Sequence, residues 1–175
     1  MSLKLPTTRL ISRLMFYEWA YGALEEADCD LGAIGEFVVG RHFDCLPKSR
    51  TLHAPVDLMT KDGVTIEVKT TKATSLSRGC HSWDISDQAL ALKRRESKAD
   101  VWILLIADFA KKNKSPLSVN VFDEACWSCY VATGAQIVAL GITNRLAETR
   151  LQKLGLSAIP LAKLGASVLL RGRER

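Results

Sequence analysis

Apolar residues recur at helical spacing at the start of the chain. From Thr8 to Ala27 they stand three and four positions apart, which predicts a helix. A second helix is predicted from about Asp30 to Phe43, with the Asp30 side chain as its N-cap. The first quarter of the chain is therefore expected to be helical.

The middle of the chain changes to patterns typical of strands. Residues Thr51–Met59 and Val64–Thr71 are separated by the turn signal Lys61–Gly63, and the second segment is rich in β-branched residues. This combination predicts a β-hairpin. A helix is predicted over Ser86–Lys98, and the unbroken apolar run Val101–Ala107 predicts a strand buried on both faces.

Two further strands are predicted over Leu117–Phe122 and Trp127–Ala132. After Thr133 the pattern becomes helical again, most clearly over Ile142–Leu154. This order of elements predicts an α/β fold with a mixed central sheet flanked by helices. We expect one domain over 1–175, made of an N-terminal helix (1–29), a core (30–132) and a helical C-terminal extension (133–175).

Composition agrees with a single folded domain. The chain has 175 residues, of which 47% are apolar, enough for one full hydrophobic core. Eighteen uninterrupted apolar residues occur nowhere, and the first residues do not resemble a secretion signal. We therefore expect a cytoplasmic protein that does not contact a membrane. Its 5 cysteines should then remain reduced rather than form disulfides.

Charge is distributed unevenly along the chain. The formal net charge is +5, with −3 in residues 1–47 and +8 in residues 48–175. Such a split favours a polyanionic partner that contacts the later part of the chain.

The predicted hairpin brings together side chains suited to metal-assisted chemistry. Strand geometry points Glu67 and Lys69 to one face and their neighbours Ile66 and Val68 to the other. If the hairpin is in register, Asp57 approaches Glu67 across it. Two converging carboxylates are the ligands that Mg²⁺ prefers, and a neighbouring ammonium can orient water or neutralise charge on a phosphate.

A second acid-x-Lys triplet, Glu96-Ser97-Lys98, provides an internal comparison. Chance alone predicts about 1.3 such triplets for this composition, so the triplet is informative only in context. Glu96 and Lys98 fall at the end of a predicted helix, where residues two apart do not share a face. The strand context therefore favours the triplet that contains Glu67 and Lys69.

The segments Pro55-Val56-Asp57 and Glu67-Val68-Lys69 resemble the signature of the PD-(D/E)xK nucleases, which include restriction endonucleases and archaeal Holliday-junction resolvases. In that family the proline usually adjoins the aspartate, whereas here Val56 intervenes. Two further segments are similar to the family's pattern. Gly35-Glu36 resembles the opening of its first core helix, and the run from Trp83 to Leu92 resembles the helix after the hairpin, from which a glutamine, here Gln88, reaches back towards the catalytic face. The resemblance covers roughly residues 30 to 132.

The resemblance implies a restriction endonuclease-like three-layer sandwich and a Mg²⁺-dependent DNA endonuclease, with Mn²⁺ as a substitute. It implies that Asp57, Glu67 and the Val68 carbonyl bind the metal and that Lys69 positions the attacking water. Glu36 would bind a second metal or its water, and Gln88 would support the site. Many members of the family act as dimers, so a homodimer is expected.

Basic and hydroxyl-bearing residues near the hairpin are suited to contacts with a DNA backbone. The expected contacts are Thr70, Thr71, Lys72, Arg78, Lys93, Arg94, Lys111 and Lys112. The alternative is a non-enzymatic DNA-binding or interaction protein that retains a nuclease-like core. RNA is less favoured as a substrate, because no aromatic-rich strand suited to base stacking is evident. Zinc at Cys126 and Cys129 is disfavoured, because no second Cys/His pair follows them.

Overall fold

A computed structural model describes residues 15–20, 30–48, 50, 54–72, 80–108 and 121–170. Only residues 15–20 of the first predicted helix lie in the described ranges, and they are helical. The elements that follow are given in chain order: α1 (Leu31–His42), β1 (Leu58–Met59), β2 (Thr65–Lys72), β3 (Ser82–Asp84), α2 (Ala89–Lys93), β4 (Val101–Ala107), β5 (Trp127–Thr133), α3 (Gly134–Ala139), β6 (Arg145–Ala147), α4 (Glu148–Lys153), β7 (Ile159–Pro160) and α5 (Ser167–Leu170).

The strands form a five-stranded mixed sheet in the order β1-β2-β4-β5-β7 and a separate two-stranded sheet of β3 and β6. β2 and β4 run parallel, with Val68 opposite Ile103, while β1 is antiparallel to β2. The other two neighbours in the large sheet, β4–β5 and β5–β7, are antiparallel. The prediction of a mixed α/β fold is confirmed, whereas the finer prediction of a restriction endonuclease-like sandwich stays a prediction.

Buried side chains form two clusters, and β4 separates them. Ile103 and Leu105 belong to one cluster with α1, while Trp102 and Leu104 belong to the other with Trp83. Every residue of β4 is buried, as predicted for a strand covered on both faces. The central sheet is therefore packed on both sides, and β2 lies between β4 and the short edge strand β1.

Helix α1 begins as the sequence predicts, because the Asp30 side chain accepts a hydrogen bond from the Gly32 N–H at 2.9 Å. Farther along, Gly35 faces β2 at close range. A Cβ at this position would collide with the Thr70 hydroxyl and meet Leu105 Cδ1 at 3.0 Å. Glycine at this position therefore lets the helix approach the strand that carries Glu67 and Lys69.

Gly35→Ala is expected to destabilise the protein by roughly 1–3 kcal/mol, because the overpacked contact outweighs the better helix propensity of alanine. Gly165→Ala is the matched control, since the nearest atom to its added Cβ is 3.7 Å away. Urea unfolding measures both free energies. Equal stabilities of the two variants would contradict the close approach of α1 to β2.

Two predicted helices differ from the structure. The helix predicted over Ser86–Lys98 is a 3₁₀ turn over Ser86–Gln88 followed by α2, which ends at Lys93 because Arg95 has a positive φ of 58°. The helix predicted over Ile142–Leu154 is wrong in its first half. There Leu146 pairs with Trp83 between β6 and β3, and the helix is confined to Glu148–Lys153.

The other predictions have mixed outcomes. The turn after β1 is confirmed, with Gly63 at φ 76°, but β1 is shorter than predicted, and residues 51–53 lie outside the described ranges. Of the predicted strand Leu117–Phe122, only Val121 and Phe122 are described, and they form a turn. In the described ranges, no helix is long and apolar enough to cross a membrane.

Candidate active site

Asp57 lies beside β2 at the point where the pairing of β2 with the short strand β1 ends. It immediately precedes β1, and because Leu58 is paired with Ile66, the register places Asp57 beside Glu67. The Val68 N–H donates a hydrogen bond to Asp57 Oδ2 at 2.7 Å. Since the N–H and C=O of a strand residue point to the same edge, the Val68 carbonyl also faces the Asp57 side of β2.

Glu67 and Lys69 share a face of β2, as the strand geometry predicts. Their side chains form an ion pair, with Lys69 Nζ 2.8 Å from Glu67 Oε1. Glu67 is only 2% exposed, so this pair lies largely away from solvent. Ile66 and Val68 belong to the hydrophobic cluster on the opposite face of the sheet.

The segment after β3 completes the surroundings of Lys69. Lys69 Nζ lies 2.6 Å from Asp87 Oδ2, so the ammonium bridges Asp87 and Glu67. The buried Gln88 side chain donates a hydrogen bond from Nε2 to Glu67 Oε1 at 3.2 Å. The 3₁₀ turn over Ser86–Gln88 therefore holds Asp87 and Gln88 beside Glu67 and Lys69.

Glu36 is held by an arginine. Arg50 donates from Nη2 to Glu36 Oε1 at 2.8 Å and from Nε to Glu36 Oε2 at 2.9 Å, a bidentate arrangement. A third contact joins Arg50 Nη1 to Asp30 Oδ2 at 3.3 Å. Both oxygens of the Glu36 carboxylate therefore accept hydrogen bonds from the single guanidinium of Arg50.

Burial and neighbouring negative charges raise the pKa values of Asp57 and Glu67. Burial, followed by the charges of Glu67 and Glu36, raises the pKa of Asp57 to about 7, against an opposing hydrogen bond from the Val68 N–H. Burial also raises the pKa of Glu67, although the ammonium of Lys69 opposes this shift. Both carboxyl groups are therefore weaker acids in the folded protein than they are in water.

The ammonium of Lys69 remains protonated in this setting. Burial alone would lower its pKa, but attraction to Glu67 and the hydrogen bonds that Lys69 donates to Asp87 and Glu67 outweigh burial, and the pKa is raised. Lys69 therefore acts as a fixed positive charge, not as a proton acceptor, in this arrangement.

A metal site is not preassembled from side chains alone. In the part of the chain that the structure describes, no three His, Cys, Asp or Glu side chains form a group that could hold a metal ion. The donor types nevertheless suit a hard divalent cation: carboxylates on Asp57 and Glu67, and the Val68 carbonyl at the same edge. A cation bound there would oppose the burial and the neighbouring negative charges that raise the pKa of Asp57.

Nothing among family models, curated proteins or solved structures matches this chain. The resemblance to PD-(D/E)xK nucleases therefore depends on the residues themselves. Its four segments lie on α1, at the start of β1, on β2 and in the turn before α2.

The predicted DNA contacts occupy different environments. Lys72, Lys93 and Arg94 are exposed, and Thr71 is half-buried. The Thr70 hydroxyl is buried beside Gly35 and has no hydrogen-bond partner in the described ranges, so we remove Thr70 from the proposed contacts. Arg78, Lys111 and Lys112 lie outside the described residues.

The comparison triplet lies elsewhere in the structure. Glu96 and Lys98 are exposed and stand in the loop between α2 and β4, not in the helix that the sequence predicted. Glu96 therefore lacks the burial and the ordered basic partner that distinguish Glu67.

A groove of about 650 Å³ adjoins the candidate site, and Asp57, Glu36 and Arg50 form part of its wall. Apolar side chains, including Leu46 and the 61% exposed Met59, line another part of it. Lys61 and Lys98 add positive charge at this groove. A flexible chain with anionic groups and apolar rings could lie along such a surface.

Two residues of the site, Arg50 and Asp87, were missed by sequence reasoning. Each contacts a predicted site residue that is distant in sequence: Arg50 is 14 positions from Glu36, and Asp87 is 18 positions from Lys69. Asp87 adjoins Gln88 in a segment already singled out, so an acid beside that glutamine was the available signal. Arg50 stands in a segment without regular periodicity, and no local pattern marks it.

The cysteines of the described ranges, Cys45, Cys80, Cys126 and Cys129, are free thiols, while Cys29 lies outside those ranges. Burial raises the pKa of Cys129 to about 12, so this thiol is un-ionised at neutral pH. Cys129 belongs to a hydrophobic cluster and Cys126 packs against the same cluster. Both behave as small apolar residues.

Proposed function

We propose that this protein is a Mg²⁺-dependent endonuclease that hydrolyses phosphodiester bonds in DNA. The observation that carries the proposal is that strand register sets the half-buried Asp57 beside the buried Glu67, whose carboxylate is paired with the Lys69 ammonium. Burying two neighbouring carboxylates costs stability, and a protein gains little from this unless a ligand uses them.

Each residue has a role that its position supports. Asp57, Glu67 and the Val68 carbonyl would hold the metal, which when bound would supply Lewis-acid stabilisation of the phosphate and a more acidic water. Lys69, fixed by Glu67 and Asp87, would orient the attacking water and offset negative charge that develops on the phosphate. Gln88 would keep the Glu67 carboxylate in place through its hydrogen bond.

The groove beside Asp57 would receive the DNA strand, and the exposed Lys72, Lys93 and Arg94 would contact its phosphates. We include the restriction endonuclease-like sandwich in this proposal, because α1, β1, β2 and the segment after β3 follow one another in the order of the motif. Each chain has one such site, so cutting both strands would use a homodimer.

One observation favours a second function, that of a DNA-binding or interaction protein without catalysis. Glu36 and Glu67 already have basic partners in Arg50 and Lys69, and such ion pairs also occur in purely structural sites. The two functions differ in whether the Glu67 carboxylate is needed for a chemical step.

The two acid-x-Lys triplets provide the test. Glu67→Gln should lower the single-turnover rate of DNA cleavage by about a hundredfold or more, because the metal loses a charged ligand while the side-chain shape is kept. Glu96→Gln, the matched change in the exposed triplet, should leave the rate unchanged. A rate lost in Glu96→Gln but kept in Glu67→Gln would move the active site to the loop before β4.

A further inference from the structure

Arg50 and Glu36 form the most complete ion pair at the candidate site. Both carboxylate oxygens of Glu36 accept from the same guanidinium, at 2.8 and 2.9 Å, and both side chains are largely buried. The third contact, to Asp30 Oδ2, ties Arg50 to the residue that caps the helix carrying Glu36. Glu36 is thus fully engaged by one cation in the structure.

This engagement conflicts with the metal-binding role that the sequence assigns to Glu36. A divalent cation on the same carboxylate would lie within a few ångströms of the guanidinium, and like charges at that distance repel strongly in a partly buried site. Glu36 can therefore serve a metal or its water only after Arg50 has moved away.

Arg50 also lines the groove that contains Asp57, and a guanidinium binds phosphate oxygens with the same bidentate geometry as a carboxylate. An arginine released from Glu36 would keep Asp30 as one anionic partner, and DNA in the groove would supply a second. Its link to Asp30 would keep it near this position.

We propose that Arg50 and a divalent cation compete for Glu36, and that DNA phosphate takes up Arg50 when the cation displaces it. This inference rests on the proposed nuclease function and adds a coupling to it: the cation and the DNA each make binding of the other more favourable. By linkage the two effects are equal in size. Arg50 is thus a positioning residue that delays assembly of the metal site until DNA is present.

Calorimetric titration of the intact protein with Ca²⁺, without DNA, tests the competition. Arg50→Gln should bind Ca²⁺ about tenfold more tightly than the parent, because the charged hydrogen bonds that oppose the cation are gone. Lys61→Gln is the control, since it removes one positive charge from the same groove while Lys61 contacts Asp44 and not Glu36. Its Ca²⁺ affinity should change by no more than about threefold.

Arg50→Lys provides a second comparison if Arg50→Gln does not fold. It keeps the charge but cannot hold both carboxylate oxygens, so a gain in Ca²⁺ affinity over the parent would come from the lost bidentate contact. In DNA-binding measurements, the parent should bind DNA more tightly with Ca²⁺ than with EDTA. The ratio of the DNA affinity in Ca²⁺ to the DNA affinity in EDTA should be about tenfold smaller in Arg50→Gln than in the parent.

The failures are distinguishable. If the parent binds Ca²⁺ but Arg50→Gln binds it no more tightly than Lys61→Gln, the competition is overturned while the metal site stands. If neither the parent nor any variant binds Ca²⁺ or Mg²⁺, the proposed metal-dependent function fails, and the competition fails with it.

Discussion

Asp57→Asn is expected to reduce DNA cleavage by about a thousandfold or more. The amide keeps the size of the side chain and can still accept the hydrogen bond from the Val68 N–H, but it removes the negative charge that a metal requires. Binding of DNA in EDTA should be unchanged or tighter, because one negative charge facing phosphate is gone. Single-turnover cleavage and a binding titration measure the two effects separately.

Asp62→Asn is the matched control for this variant. Asp62 is an exposed acid in the turn between β1 and β2, so its loss should leave cleavage at the parent rate. Cleavage by Asp57→Asn at the rate of Asp62→Asn would show that the edge of β2 is not the active site.

Asp57→Asn should also alter how the free energy of unfolding depends on pH. The pKa of Asp57 is raised from 3.8 to about 7, so the neutral carboxyl favours the folded state, and this stability is lost as the pH rises from about 4 through 7. At pH 8 Asp57→Asn should therefore be more stable than the parent by roughly 2–4 kcal/mol, and at pH 4 the two should be alike. Thermal unfolding at both values measures the difference.

Lys69→Ala should reduce the single-turnover rate by about a hundredfold or more, and Lys69→Arg should not restore it fully. The planar guanidinium is bulkier than an ammonium and cannot bridge Glu67 and Asp87 in the same way. Lys69→Ala should also be destabilised by roughly 3–5 kcal/mol, because the buried Glu67 loses its charged partner. Rates must therefore be measured at a temperature where unfolding curves show every variant to be folded.

Lys72→Ala is the control, since Lys72 lies on the same strand but is exposed. It should weaken DNA binding in a salt-dependent way and leave the chemical step at saturating protein intact. Near-parent rates in both Lys69 variants would leave the ion pair with Glu67 as a structural feature only.

The parts of the fold that the sequence predicts well are those whose pattern is local. Asp30 caps α1 as expected, and the apolar run of β4 is buried throughout. The helix expected over Ile142–Leu154 fails because apolar spacing alone did not reveal that Leu146 pairs with Trp83. That pairing is a tertiary contact between segments more than fifty residues apart, and it overrides the local pattern.

In the candidate site, too, local features follow from the sequence and tertiary contacts do not. The shared face of Glu67 and Lys69 results from strand geometry, so the sequence predicts it. The partners of these residues do not follow from any periodicity. Arg50 and Asp87 reach Glu36 and Lys69 only because the chain folds back, and they pair with charged groups that the sequence presents as unpaired.

The central claim is most directly tested by incubating the purified protein with linear, supercoiled, branched and single-stranded DNA, in Mg²⁺ and in EDTA, alongside Asp57→Asn. We expect the parent to cut at least one of these DNA forms in Mg²⁺ and none in EDTA, and Asp57→Asn to cut none. Absence of cleavage by the parent in both Mg²⁺ and Mn²⁺, or cleavage that persists in EDTA or in Asp57→Asn, would contradict the central claim.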